Sequence, residues 1–395
     1  MVDARRGRPA VWAAAALSLA SQIAIAQGVP VDAKHIHDFV PNLDAVPGAG
    51  SKCRQPEGIS VDPEGNIYIS SNSDGGPPAG AALPLVEYVC VFDKHGQFKE
   101  AVAIPAAASV VSLYAPPQSC PPVAQPNPSV NCPPQYTGLV GNMWDNGKLY
   151  ALDQADNVAG HARILRVDLE SPGHPVTVIP YCGDKDLAPA FPNTIVQDRH
   201  GNRYVTDSLL GVIYRFPPDD SCAHVWYGPD ARFISTNPAQ NVGLNDAAFD
   251  REEKYLYVDQ TGNRQLYRIP IHEDGSPGNA EFLVDGQDID KTNGYTTPTA
   301  IYGPDGIQFD VMGNLWLCAN QAEEIQVFSI EGSQVKLIHR YAGPDPMDFN
   351  ASLAFRGHKL FITNMQPDYL LPHSKLSVLD APVAGLPLPL SDEDQ

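Results

Sequence analysis

Brief apolar runs rich in β-branched and aromatic residues recur along the chain, each cut off by clusters of Gly, Pro, Asn and Asp. That pattern predicts strands joined by turns rather than helices. One phrase repeats: a turn residue, a polar residue, a short apolar strand, an Asp-x-x-Gly-Asn turn and a second strand rich in aromatics. It runs from Pro56 to Ser70, from Pro192 to Asp207 and from Pro304 to Leu317, with a looser copy from Leu244 to Asp259. Two weaker copies, Asn142 to Asp153 and Leu353 to Asn364, complete a set of six. Each copy reads as a β-hairpin, because the Asp bonds its own backbone in the turn and Gly or Asn accepts positive φ.

Six copies at a spacing of roughly 50 residues match the unit of a four-stranded propeller blade. Further strands fill out the blades, among them Glu87–Phe92, Arg163–Val167, Gly211–Phe216, Gln265–Ile269 and Glu324–Phe328. Closing so many strands into a ring protects edges that an open sheet would expose. The expected fold is therefore all-β, a six-bladed β-propeller over residues 27–385. Residues 104–136, with their prolines and Cys120 and Cys132, predict a long disulfide-prone loop between blades one and two. Residues 386–395 predict an acidic, frayed tail. His35-Ile36-His37 reads as a surface strand preceding the first blade.

The first 26 residues have the form of a signal peptide. Arg5, Arg6 and Arg8 precede an alanine-rich apolar stretch, and Ala24-Ile25-Ala26 supplies a small-x-small cleavage pattern. A secreted or periplasmic location follows. Cleavage removes one acid, Asp3, and the three arginines, so 46 acids and 26 bases become 45 and 23, a formal charge of −22. Such a charge disfavours nucleic acid and anionic membrane as partners and leaves a small-molecule substrate as the expectation. All seven cysteines lie beyond the cleavage point, where disulfides are permitted. The local pairings Cys53–Cys90, Cys120–Cys132 and Cys182–Cys222 leave Cys318, inside an apolar run, as a buried thiol.

The position five residues before the turn aspartate carries the chemistry. It is Glu57, Asn193, Asn245 and Asp305, ahead of Asp62, Asp198, Asp250 and Asp310. Each opens the strand expected to be innermost in its blade, and a radially symmetric fold brings such positions toward one axis. Two carboxylates and two amide oxygens, without thiolate or imidazole, describe a Ca²⁺ site. Without a cation, Glu57 and Asp305 would repel across a partly desolvated channel. As turn formers the asparagines and Asp305 would be unexceptional, but Glu57 is a poor turn residue and the four stand in register.

The phrases Pro56-Glu57-Gly58, Pro192-Asn193, Leu244-Asn245-Asp246 and Pro304-Asp305-Gly306 resemble the metal-site motifs of the SMP-30/gluconolactonase/LRE-like family, which is related to the paraoxonases. The resemblance implies a Ca²⁺ site (Zn²⁺ or Mn²⁺ in some members) on Glu57, Asn193, Asn245 and Asp305, and hydrolysis of a lactone or ester. It also implies that Asp305 takes the proton of an attacking water, with Asp246 as a second candidate base or an anchor for Asn245. Phe191 stands where sugar-lactone enzymes of this kind carry arginine, and Asp246 where glycine is common, which points to a more apolar substrate. No Gly-x-Ser-x-Gly elbow or P-loop is present. Two alternatives carry weight beside the hydrolase: a non-catalytic, metal-stabilised binding platform, and a strictosidine-synthase-like enzyme, in which the metal set should have decayed.

Overall fold

The computed structural model describes residues 28–72, 86–107, 138–343, 347–365 and 374–387. The expected signal peptide, the Cys120–Cys132 pairing, most of the 104–136 loop and nearly all of the tail lie outside them. Six antiparallel sheets form the blades. Their inner strands are Pro56–Val61, Leu139–Asp145, Pro192–Gln197, Leu244–Phe249, Pro304–Phe309 and Asn350–Arg356. Each inner strand packs against the next, and the sixth packs back on the first. The ring is closed, as the six copies predicted.

The repeated turn has the expected chemistry and one further part. Asp62, Asp198 and Asp310 accept the backbone N–H of Asn66, Asn202 and Asn314 at 2.7, 2.8 and 2.9 Å. The second oxygen of each takes the Asn side chain and a polar hydrogen from the following strand: Tyr68 Oη–H, Tyr204 Oη–H and Trp316 Nε1–H. This explains why an aromatic residue follows each Gly-Asn: its ring is buried while its polar tip is spent on the turn. Gly65, Gly201 and Gly313 sit between them at positive φ, where a side chain would be strained.

Closure of the ring uses the start of the chain. Ile36–Val40 is the outer strand of blade six, antiparallel to Lys375–Asp380, and Val31–Asp32 pairs in parallel with Gln334–Tyr341 of blade five. The His35-Ile36-His37 strand is thus exposed at its histidines, as expected, but belongs to the last blade rather than preceding the first. Ile36 and Val40 are buried there, so apolar packing fixes the pairing.

Cys53–Cys90 ties the segment ahead of blade one to the third strand of that blade. Cys182–Cys222 links the connection leaving blade two to the outer hairpin of blade three. Cys318 is free and buried. Among the described residues no helix is long and apolar enough to cross a membrane.

Candidate metal centre

All six inner strands break register with their neighbours between the first residue and the fourth. A bulge of this kind adds residues on one strand and re-aims their side chains. The second residue of each strand therefore occupies an equivalent place around the ring: Glu57, Val140, Asn193, Asn245, Asp305 and Ala351. Blades two and six supply apolar residues, and the other four supply the predicted set. Glu57, Asn193, Asn245 and Asp305 are all buried, at 8%, 5%, 3% and 8% exposure.

Side chains at the end of the second strands hold this set from behind, a layer that reading the sequence did not single out. Ser208 accepts from Asn193 Nδ2 at 2.9 Å, Thr261 accepts from Asn245 Nδ2 at 2.9 Å, and Asn320 donates to Asp305 Oδ2 at 3.0 Å. The three occupy the same position in blades three, four and five. The repeat that located the inner residues could have located these by the same register. Direct contact joins Asn245 to Asp305, whose Oδ1 accepts from Asn245 Nδ2 at 3.0 Å. Glu57 and Asn193 are placed by ring position; the carbonyl of Glu57 is fixed by the Thr363 hydroxyl at 2.7 Å.

The oxygen donors of this region suit a hard cation. Asn245 spends its amide hydrogens on Thr261 and Asp305, which leaves its buried Oδ1 without a hydrogen-bond partner. A buried unpaired oxygen costs stability unless something donates to it or coordinates it. Burial, reinforced by the charge of Asp246, holds the Asp305 carboxyl well above its ordinary range. Asp259 is raised in the same way by burial, Asp246 and Asp305. These groups favour the arrival of positive charge. Among the described residues no three His, Cys, Asp or Glu side chains form a metal cluster, so amide oxygens would have to share the coordination.

Asp246 is placed differently from Asp305. One oxygen accepts from Ala247 N–H at 2.7 Å, the other from Ile307 N–H at 2.7 Å, and the Thr194 side chain also bonds the carboxylate. Burial pushes its pKa up to about 6 against these bonds. It borders a cavity of about 90 Å³ in the central channel, together with Thr194, Ser352, Asn142 and Gln308. Phe191, half-buried, packs on the core between blades two and three. Asn350, the first residue of a glycosylation sequon, is fully buried on the inner strand of blade six.

Residues 237–366, which hold Asn245, Asp246 and Asp305, match the SMP-30/Gluconolactonase/LRE-like region. No curated protein sequence matches the chain. Among solved structures, a calcium-binding regucalcin from Agrobacterium tumefaciens aligns with a TM-score of 0.55 and 15% identity, over 88% of this chain and 95% of that one. A gluconolactonase from Xanthomonas campestris aligns with a TM-score of 0.51 and 16% identity, over 90% and 97%. A PQQ-bound aldose sugar dehydrogenase from Streptomyces coelicolor aligns as well, with a TM-score of 0.51 and 15% identity, over 89% and 99%. At such identities the likeness is one of fold, and the fold carries more than one chemistry.

Proposed function

From the premise that this propeller carries an SMP-30/gluconolactonase/LRE-like region, we propose that it is an exported, Ca²⁺-dependent hydrolase of a lactone or ester. The observation that carries the reading is the register of Glu57, Asn193, Asn245 and Asp305: one oxygen-bearing residue at the bulge of four inner strands in a closed ring. These four would hold the ion. When bound, Ca²⁺ supplies stabilisation for negative charge developing on a carbonyl oxygen.

The chain's own residues account for the rest. Asp305 is the proposed base, since its carboxyl is held by two amide donors, from Asn245 and Asn320, and lies on the ring of candidate ligands. Those amides keep the carboxylate oriented whichever proton it takes or gives. Asp246, the other candidate, has both oxygens committed to backbone N–H groups, which favours a supporting role. Two disulfides support an oxidising compartment. Phe191 in place of arginine supports a substrate less polar than a sugar lactone.

The test uses metal-free protein titrated with Ca²⁺ by calorimetry, followed by a panel of aliphatic and aromatic lactones and aryl esters. Stoichiometric binding, turnover that requires the ion, and loss of both in Asp305→Ala and Asn245→Ala are expected. A protein that binds Ca²⁺ but hydrolyses nothing on the panel is a binding platform, and one that binds none has no metal centre here.

A further inference from the structure

In blades one to five the third residue of the inner strand faces the next blade around the ring. In blades one, two and five it is Gly58, Gly141 and Gly306, and the neighbouring strand leaves no room for more. A Cβ at Gly58 would lie 2.4 Å from the Val140 carbonyl, at Gly141 2.3 Å from the Asn193 carbonyl, and at Gly306 2.7 Å from the Ser352 Cα. In those blades backbone packs on backbone. Blade four departs from this: the residue is Asp246, and a carboxylate spans the gap to blade five.

We propose that Asp246 is a positioning residue that fixes the bulge of blade five and thereby sets Asp305 against Asn245; this rests on the metal-site reading above. Its Oδ2 takes the N–H of Ile307, two residues beyond Asp305, at 2.7 Å. Its own N–H is held by Asp259 Oδ1 at 2.6 Å, which anchors the dipeptide to the second strand of blade four. Residues 245 and 246 thus grip blade five at two points, an amide on the Asp305 carboxylate and a carboxylate on the Ile307 amide. The Thr194 side chain joins the same carboxylate from blade three, so three of the four ligand-bearing blades meet at Asp246. An asparagine there keeps the shape but offers one acceptor oxygen to two N–H donors, and its amide opposes one of them.

Two readouts on D246N test this. In metal-free protein, hydrogen exchange at the Ile307 amide should quicken at least about 10-fold, with protection elsewhere in blades one and two unchanged. Ca²⁺ affinity should fall by about 10- to 100-fold, as expected when a supporting partner of a ligand is lost. D220N, which weakens the ion pairs of Asp220 with Arg166 and Arg203 between blades two and three, should lower the melting temperature and leave Ca²⁺ affinity alone. T194V, which removes one bond and keeps the carboxylate, stands in if D246N does not fold, with the same effects in weaker form. Unchanged Ile307 exchange together with wild-type affinity would overturn the proposal, as would an affinity loss that D220N reproduces. If wild-type protein binds no Ca²⁺, the metal reading fails and Ile307 exchange alone decides the clamp.

Discussion

Two of the buried polar networks that cross blade boundaries differ in charge balance. Between blades two and three, Arg203 donates to Asp145 at 2.6 Å and Asp220 at 3.0 Å and stacks 4.2 Å above the Tyr150 ring. Arg166 donates to Asp220 at 2.8 Å, and the Tyr150 hydroxyl donates to the same carboxylate at 3.0 Å. Two guanidinium groups face two carboxylates. Between blades four and five, Asp246, Asp259 and Asp305 stand near one another with amides, hydroxyls, backbone N–H groups and the buried Cys318 thiol around them, and no cationic side chain pairs with them among the described residues. The first network is balanced in charge and staples the ring. The second is short of positive charge, which fits the cation proposed to bind there.

The contrast can be broken in several ways. The largest effect should come from Asp305→Ala, with Ca²⁺-dependent hydrolysis reduced about 10³-fold or more and bound Ca²⁺ lost by elemental analysis. Comparable loss of hydrolysis in Asp220→Ala would erase the distinction between the two networks. That variant should instead leave Arg203 with Asp145 alone and Arg166 without its carboxylate, costing about 3–5 kcal/mol of stability in denaturant melts while Ca²⁺ affinity holds. Next comes pH. Because the folded pKa of Asp246 is raised to about 6, the neutral form is favoured by the fold. Its contribution is present below the ordinary aspartate range and is lost as pH rises through about 6, worth about 3 kcal/mol in metal-free protein. Melting temperatures of chelated protein that rise with pH over that interval would contradict the assignment. The smallest effect is expected from Asn320→Ala, which removes one donor to Asp305 and should weaken Ca²⁺ binding about 10-fold by calorimetry.

The parts of the molecule legible in the sequence are those fixed by local chemistry. Asp62, Asp198 and Asp310 announce their hairpins because the turn bonds span four residues. Glu57 stands out because it is a poor turn residue in register with Asn193, Asn245 and Asp305. The Cys53–Cys90 and Cys182–Cys222 pairs are local enough for spacing to suggest them. What stayed hidden depends on contacts between distant segments. The bulges have no residue signature of their own; glycine marks the third position in blades one, two and five only. Ser208, Thr261 and Asn320 look like ordinary strand ends until the second strands are stacked behind the first. Nothing in the sequence marks Arg203, and only the fold shows it buried between Asp145 and Asp220. The place of Ile36–Val40 was equally invisible, since its partner lies more than three hundred residues away.

That last strand has a bearing on how the protein comes to exist. Residues 31–40 precede all the other described strands yet have their berth in blades five and six, beside residues made much later. Blades one to four are built from contiguous stretches of chain, whereas Val31–Asp32 and Ile36–Val40 have no partner until blades five and six are made. Assembly of the ring therefore cannot finish until the whole polypeptide is available, and the search that joins its ends is long in sequence and correspondingly slow.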